Sequence, residues 1–252
     1  MPLKEQPHEP QTYRPPTLRG QIRRHAIRRG WLSTARECGE FGLRLAGGVP
    51  WAVAGGRGRF SFDGDTYPYL YDRRHPSWIS ERAVEIPIAR RLLRGHAGGR
   101  VLEVGNVLGL YGPRNHAVID KYEQAPGVLN VDALDLRDER GYDLIVSIST
   151  IEHIGWDEHP QDPDRARRAI EHLARLLSPG GTLMFTVPIG YNPHLDRALA
   201  AGDVPAARLS ALLRDGHRTR WREVSPEAAW AVPYDDLFYA AGALLVGTIV
   251  DG

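Results

Sequence analysis

The chain has 252 residues, 42% hydrophobic and 25% charged, and its single cysteine, Cys38, excludes an intramolecular disulfide or a zinc site built on paired cysteines. No run approaches the ~18 apolar residues of a transmembrane helix, and the opening MPLKEQPHEP lacks the apolar core of a secretory signal, so a cytoplasmic protein is expected. The formal net charge of +1 hides a split: residues 1–100 carry 18 Lys/Arg against 9 Asp/Glu, whereas residues 101–252 carry 14 against 22.

Residues 1–17 are Pro-rich and polar, as in a flexible tail. Leu18 to about Leu45 can form helix, with Arg19, Arg23, Arg24, Arg28 and Arg29 crowding its first part. Gly47-Gly48-Val49-Pro50 and Gly55-Gly56-Arg57-Gly58 read as loop punctuation. Phe60 to Trp78 is rich in aromatics, and Glu81–Leu93 reads as a helix despite Pro87. Residues 18–95 thus form an N-terminal extension ahead of a core over 96–252.

From Arg100 short apolar runs alternate with helical stretches, the pattern of βαβ units and a mainly parallel sheet. Strands are expected at Arg100–Val104, Ala117–Asp120, Val128–Val131, Asp143–Ser147 and Thr182–Val187. The strongest helix follows Asp162-Pro163, with Ala166, Ala169, Ile170, Leu173, Leu176 and Leu177 on its buried face and Ser178-Pro179-Gly180-Gly181 as its stop. A further helix is expected near Ala206–Arg214, a polar strand near Thr219–Val224 and a closing central strand at Ala243–Val250.

Val101-Leu102-Glu103-Val104-Gly105-Asn106-Val107-Leu108-Gly109 carries the sharpest local chemistry. A strand ending in an acid and a glycine lets a ligand approach the backbone at the carboxyl edge of an open sheet. Fifteen residues past Gly105, Asp120 ends the second strand, where a carboxylate can accept hydrogen bonds from both hydroxyls of a ribose. Val107 takes the place of the middle glycine of G-x-G-x-x-G, and the crossover to the second strand is too short for the usual first helix.

Taken in order, VLEVGNVLG, VID, NVDALD, YDLIVSISTIEHIG and LARLLSPGGTLMFTVP resemble the class I S-adenosylmethionine-dependent methyltransferases over roughly residues 80–252. The pieces ISTIEHIGWDE and VPIGYNPHLD are similar to the small-molecule branch. The resemblance implies an α/β fold: a seven-stranded, mostly parallel Rossmann-like sheet with helices on both faces and an N-terminal helical and loop extension. It also implies S-adenosyl-L-methionine as co-substrate. Glu103, Gly105 and Gly109 would border its methionyl part, with Asn106 and Val107 departing from the family's pattern. Asp120 would hold the ribose, with Lys121 beside it. Asp132 would contact adenine, Val131 and Ala133 would pack on the ring, and Ser147 to Ser149 would line the methionine side.

An in-line methyl transfer asks the protein mainly to align acceptor, methyl and sulfur. An oxygen acceptor must also lose a proton, and His153 is the candidate base; the alternative is that Glu152-His153 merely caps the strand-to-helix loop. Glu152 reads as a positioning residue. The carboxylates and imidazoles between Glu152 and His159 have no spacing diagnostic of a metal, so none is expected. Tyr191 and Asn192 are placed beside the acceptor pocket, and Tyr69, Tyr71 and Trp78 can roof it or simply pack the lobe.

The expected reaction is methyl transfer to a small molecule, at an oxygen of a sugar or natural product. A nicotinamide-linked oxidoreductase or sugar-nucleotide enzyme shares the glycine loop and second-strand acid but lacks support from Val107 and from any Tyr-x-x-x-Lys pair. A non-catalytic binding protein with a decayed site is the third class. The arginine-rich stretch can be a solvated or partner-facing helix, or a peripheral contact with anionic lipid. Nucleic acid is not expected, because aromatic interleaving is missing and the core is acidic.

Overall fold

A computed structural model describes residues 18–53, 58–204, 207–215, 220–235 and 237–252, and the expected tail at 1–17 and most of the Gly55–Gly58 cluster lie outside the described residues. The chain divides into two compact units, one ending at Gly39 and one from Glu40 to Gly252. In the first, α1 (Leu18–Arg29) and the start of α2 (Trp31–Val53) are separated at Gly30, whose φ of +90° suits glycine. His25 Nδ1 lies 2.9 Å from the Thr34 hydroxyl, which donates to the Gly30 carbonyl and ties the two helices together.

The second unit holds a hairpin of β1 (Arg59–Phe62) and β2 (Asp65–Pro68), helix α3 (Arg82–Gly95), and a seven-stranded sheet. The sheet strands are β3 (Val101–Val104), β4 (Ala117–Ile119), β5 (Tyr142–Ile148), β6 (Leu177–Pro188), β7 (Arg208–Arg214), β8 (Trp221–Val224) and β9 (Ala243–Val250). Their order is β4-β3-β5-β6-β9-β7-β8. Strands β4, β3, β5 and β6 run parallel, β9 is antiparallel between β6 and β7, and β8 pairs antiparallel with β7. Five of the seven strands therefore point one way, a Rossmann-like arrangement.

Side-chain alternation sorts these strands onto two faces. Leu102, Val104, Ile145, Leu183 and Phe185 pack with Ile170 and Leu173 of α4 (Arg165–Ala174) and Leu195 of α5 (Pro193–Ala201). Leu144, Val146, Ile148, Met184 and Leu244 pack on the other side with Val84 and Ile88 of α3 and the hairpin aromatics. Each such side chain contributes roughly 1.5–3 kcal/mol on burial. Helices thus cover both faces, as expected.

Several local expectations are corrected. Val128–Val131 is not a strand: Leu129 makes a single bridge to Ile119 and is 59% exposed, so no buried face supports a longer pairing. Within the stretch read as a helix near Ala206–Arg214, residues Arg208–Arg214 form β7, because neighbours on both sides, β9 and β8, complete its hydrogen bonds; Ala206 lies outside the described residues. Gly47–Pro50 does not interrupt α2; a Cβ on Gly48 would lie 2.0 Å from Trp78 Cδ1, so that glycine serves close packing. Helix α4 begins at Arg165 rather than at Pro163, and Ser178–Gly181 belongs to β6, the helix having ended at Ala174. The crossover from β3 to β4 contains only a 3₁₀ turn at Leu108–Leu110 among its described residues, as its length required.

Candidate active site

The carboxyl ends of β3, β5 and β6 line one edge of the sheet, and the loops leaving them touch. Gly105 has φ of +86°, and a Cβ there would stand 2.2 Å from Thr150 Oγ1, so the loop after β3 abuts the turn after β5. Its amide donates to the Ile119 carbonyl at 2.8 Å. Glu103 is fully buried; its Oε1 accepts from the amides of Val107 (2.8 Å) and Leu108 (2.7 Å), and its Oε2 pairs with His116 Nε2 at 2.8 Å. That carboxylate curls the loop. Asn106 bonds to Glu123 and Arg114, and the space beside Gly109 is filled by Asn106 Oδ1 and Arg114 Cδ. Gly109 therefore accommodates protein side chains.

Asp120 follows β4, and its Oδ1 accepts from the amides of Tyr122 and Glu123, both at 2.8 Å. Asp132 sits in an ionic cluster: Arg165 at 2.7 Å and Lys121 at 3.0 Å share its Oδ2, and Lys121 also reaches Glu158 at 3.0 Å. Burial alone would raise the Asp132 carboxyl, but the Leu134 amide, Arg165 and Lys121 hold it below its ordinary value. Ala133 is buried in the core. Ser147 is buried and donates to the Val104 carbonyl, joining β5 to β3.

Across this edge lies a second cluster that local sequence did not reveal. Glu85 of α3 is fully buried; its Oε1 accepts from the hydroxyls of Ser149 (2.5 Å) and Thr186 (2.6 Å), and its Oε2 pairs with Arg82 at 2.8 Å. Burial opposes the Arg82 charge, but Glu85, Glu81 and Glu152 hold its pKa above the usual range. The available signal was an acid inside the apolar run Ala83-Val84-Glu85-Ile86, since such a group is buried only with partners.

Glu152 is 1% exposed, and neither carboxylate oxygen has a hydrogen-bond partner among the described residues. Burial pushes its pKa up to about 7. His153 Nε2 stands 3.7 Å from Glu152 Oε1, while its Nδ1 is 2.6 Å from Asp157 Oδ2. Burial disfavours the charged ring, yet Asp157 and Glu152 together raise the His153 pKa. The Tyr191 hydroxyl donates to the same Asp157 oxygen at 2.7 Å, and its ring meets His153 at 4.7 Å and Tyr234 at 5.2 Å between centroids. A short turn thus carries a histidine between two carboxylates, edged by two phenols.

The remaining substrate expectations are placed differently. Asn192 is buried, its Oδ1 capping α5 at the amides of His194 and Leu195 and its Nδ2 donating to the Glu152 carbonyl at 2.9 Å. It positions Glu152 instead of reaching outward. Tyr69 is buried against Phe60, and its hydroxyl accepts from the Trp221 amide at 2.8 Å. Trp78 is buried and donates to the Leu45 carbonyl at 3.1 Å. Both aromatics are spent on packing the lobe, the alternative left open by the sequence.

No family model and no curated protein sequence matches the chain. Similar solved structures include the N-methyltransferase NodS of Bradyrhizobium japonicum, 18% identical over 72% of this chain and 99% of its own, with a TM-score of 0.42. The sugar N-methyltransferase KedS8 of Streptoalloteichus is 18% identical over 77% and 98%, with a TM-score of 0.35. The 1,6-didemethyltoxoflavin-N1-methyltransferase of Burkholderia thailandensis, solved with S-adenosylhomocysteine, is 15% identical over 77% and 99%, with a TM-score of 0.38. At such distances the neighbours fix neither reaction nor site, and the residues carry the reading.

Proposed function

We propose that this protein is an S-adenosylmethionine-dependent methyltransferase acting on a small-molecule acceptor. The observation that carries the reading is the contact of the bare Gly105 loop with the Thr150 turn. That contact brings the end of β3 against the turn that carries Glu152, a buried carboxylate without a hydrogen-bond partner among the described residues. Ligands of open α/β sheets bind at this carboxyl edge.

The residues fit the co-substrate. Glu103 fixes the loop curl through two amides, and Gly105, lacking a Cβ, lets that loop close against Thr150 where it would border the methionyl part. Asp120 offers Oδ2 to the ribose while Oδ1 holds its own loop. The Lys121–Asp132–Arg165 cluster borders the adenine end, so Asp132 would act there as an ion-paired carboxylate. When bound, S-adenosylmethionine supplies an activated methyl group on a sulfonium centre for in-line displacement. Ser147 and Ser149 set the floor of the site by locking β5 to β3 and α3.

An oxygen acceptor with His153 as base was the expectation from sequence. The geometry favours a different division of labour. Flanked by Asp157 and Glu152, the His153 ring is held toward its charged form, in which it donates and orients. Glu152, with a pKa near the working pH, suits the taking of a proton. The nicotinamide reading has less support, since Val107 occupies the middle-glycine position with its amide committed to Glu103.

Calorimetric titration with S-adenosylhomocysteine and with both nicotinamide dinucleotides tests the proposal. Binding of S-adenosylhomocysteine alone is expected. Binding of a nicotinamide dinucleotide without S-adenosylhomocysteine, or of neither, overturns it.

A further inference from the structure

Glu152 is the member of a buried acidic group that no hydrogen bond meets among the described residues. Glu81 Oε2 accepts from the Ala241 amide at 3.0 Å, and Glu85 accepts from two hydroxyls and Arg82. Glu152, 1% exposed, accepts from nothing among the described residues, and His153 Nε2 stops 3.7 Å short. Three carboxylates therefore share this field with the guanidiniums of Arg82, against Glu85 and Glu152, and Arg214, on the Glu81 side, and with one imidazole. A buried carboxylate is expensive unless a cation or donor meets it. Tyr191 and Tyr234, which meet edge to face and both lie within electrostatic reach of Glu152, add aromatic rings of the kind that attract cations.

We propose that the Glu152 carboxylate marks an ammonium site and that the acceptor is a small amine, methylated on nitrogen. The inference rests on the methyltransferase reading and names the acceptor class for the same site. The acceptor arrives as an alkylammonium and gives one proton to the Glu152 carboxylate. Its freed lone pair forms the new nitrogen–carbon bond while the carbon–sulfur bond breaks. The sulfur is left neutral, the product amine carries the positive charge, and Glu152 returns its proton to solvent on product release. A hydroxyl acceptor would leave Glu152 unmatched as an anion, and its proton is far less acidic than that of an ammonium, so a carboxylate is a poorly matched base for it.

Cyclohexylamine and cyclohexanol share one ring and differ at the acceptor atom, so they serve as probes. Their binding is compared at pH 8 by ligand-observed NMR, using wild type and Glu152→Gln, each with and without S-adenosylhomocysteine. Wild type should bind the amine about tenfold or more tightly than the alcohol, the scale of a hydrogen bond to a charged group. In Glu152→Gln that preference should fall to about twofold or less. Equal binding of the two probes, no amine binding by wild type, or a preference that survives Glu152→Gln overturns the ammonium site. S-adenosylhomocysteine binding is read separately by calorimetry. Its failure would sink the methyltransferase reading and leave the amine preference to decide the cation site on its own. Circular-dichroism melts of the variant establish that it is folded.

Discussion

Replacing Glu152 by Gln should stabilise the protein above neutral pH, an unusual outcome for a core substitution. In the unfolded chain this carboxyl loses its proton near its ordinary 4.5, whereas in the folded state burial holds the proton until about pH 7. Between those values the folded state binds more protons, so stability falls as pH rises. The penalty is nearly absent below the unfolded pKa and fully developed above the folded one. A difference of about 2.5 pK units corresponds to about 3 kcal/mol. Glutamine keeps the shape and removes the charge. Urea unfolding of both proteins should therefore differ by less than ~1 kcal/mol at pH 5 and by about 3 kcal/mol in favour of the variant at pH 8.5. Asp196, also raised by burial, to about 6, titrates in both proteins and cancels in the comparison. A difference independent of pH, or a variant less stable than wild type at pH 8.5, would refute the picture of a buried acid whose charge burial disfavours.

Three other outcomes follow from the same geometry. Gly105→Ala places a methyl 2.2 Å from Thr150 Oγ1 on a backbone with φ of +86°. The left-handed conformation costs roughly 1–2 kcal/mol and the overlap a further 1–3, so urea midpoints should drop accordingly; adding Thr150→Ala should recover part of the loss, and no recovery would contradict the contact. Asn192→Ala removes the α5 cap and the bond to the Glu152 carbonyl, costing about 1–2 kcal/mol; an unchanged midpoint argues against the cap. Asp157→Asn removes the anion 2.6 Å from His153 Nδ1, so the histidine pKa followed by NMR should move down, and an unmoved titration would show that Asp157 does not hold the ring.

Periodicity made much of the parallel half of the fold legible. Residues 101–104 and 142–148 are mainly apolar runs that two neighbouring strands bury, as is the antiparallel run 243–250, and α4 shows its stripe openly. Residues 208–214 misled because Leu and Ala favour helices locally, and placement between β9 and β8 overrode that preference. The β1–β2 hairpin was readable but unread: Asp63-Gly64, both at positive φ, joins strands that alternate aromatics inward. In the site, the Gly105 loop and the Glu152-His153 turn were local signals. Glu85 and Arg82 were not, because they lie more than sixty residues before Ser149 and meet it only when α3 packs on β5. Tyr69 and Trp78 were chosen for their chemistry, and burial assigned them to packing.

The charge asymmetry of the sequence also gains a location. The acidic half contains Glu103, Asp120, Asp132 and Glu152, at or beside the carboxyl edge where a cationic sulfonium co-substrate would be held. Calorimetry of S-adenosylhomocysteine binding to wild type and to Asp120→Ala tests that assignment most directly. Wild type should bind, and the variant should lose about tenfold or more in affinity, the scale of hydrogen bonds to a charged acceptor, while giving up about 1 kcal/mol of stability with the Tyr122 and Glu123 amide bonds. Equal affinity in the two proteins, or no binding by wild type, would contradict the account.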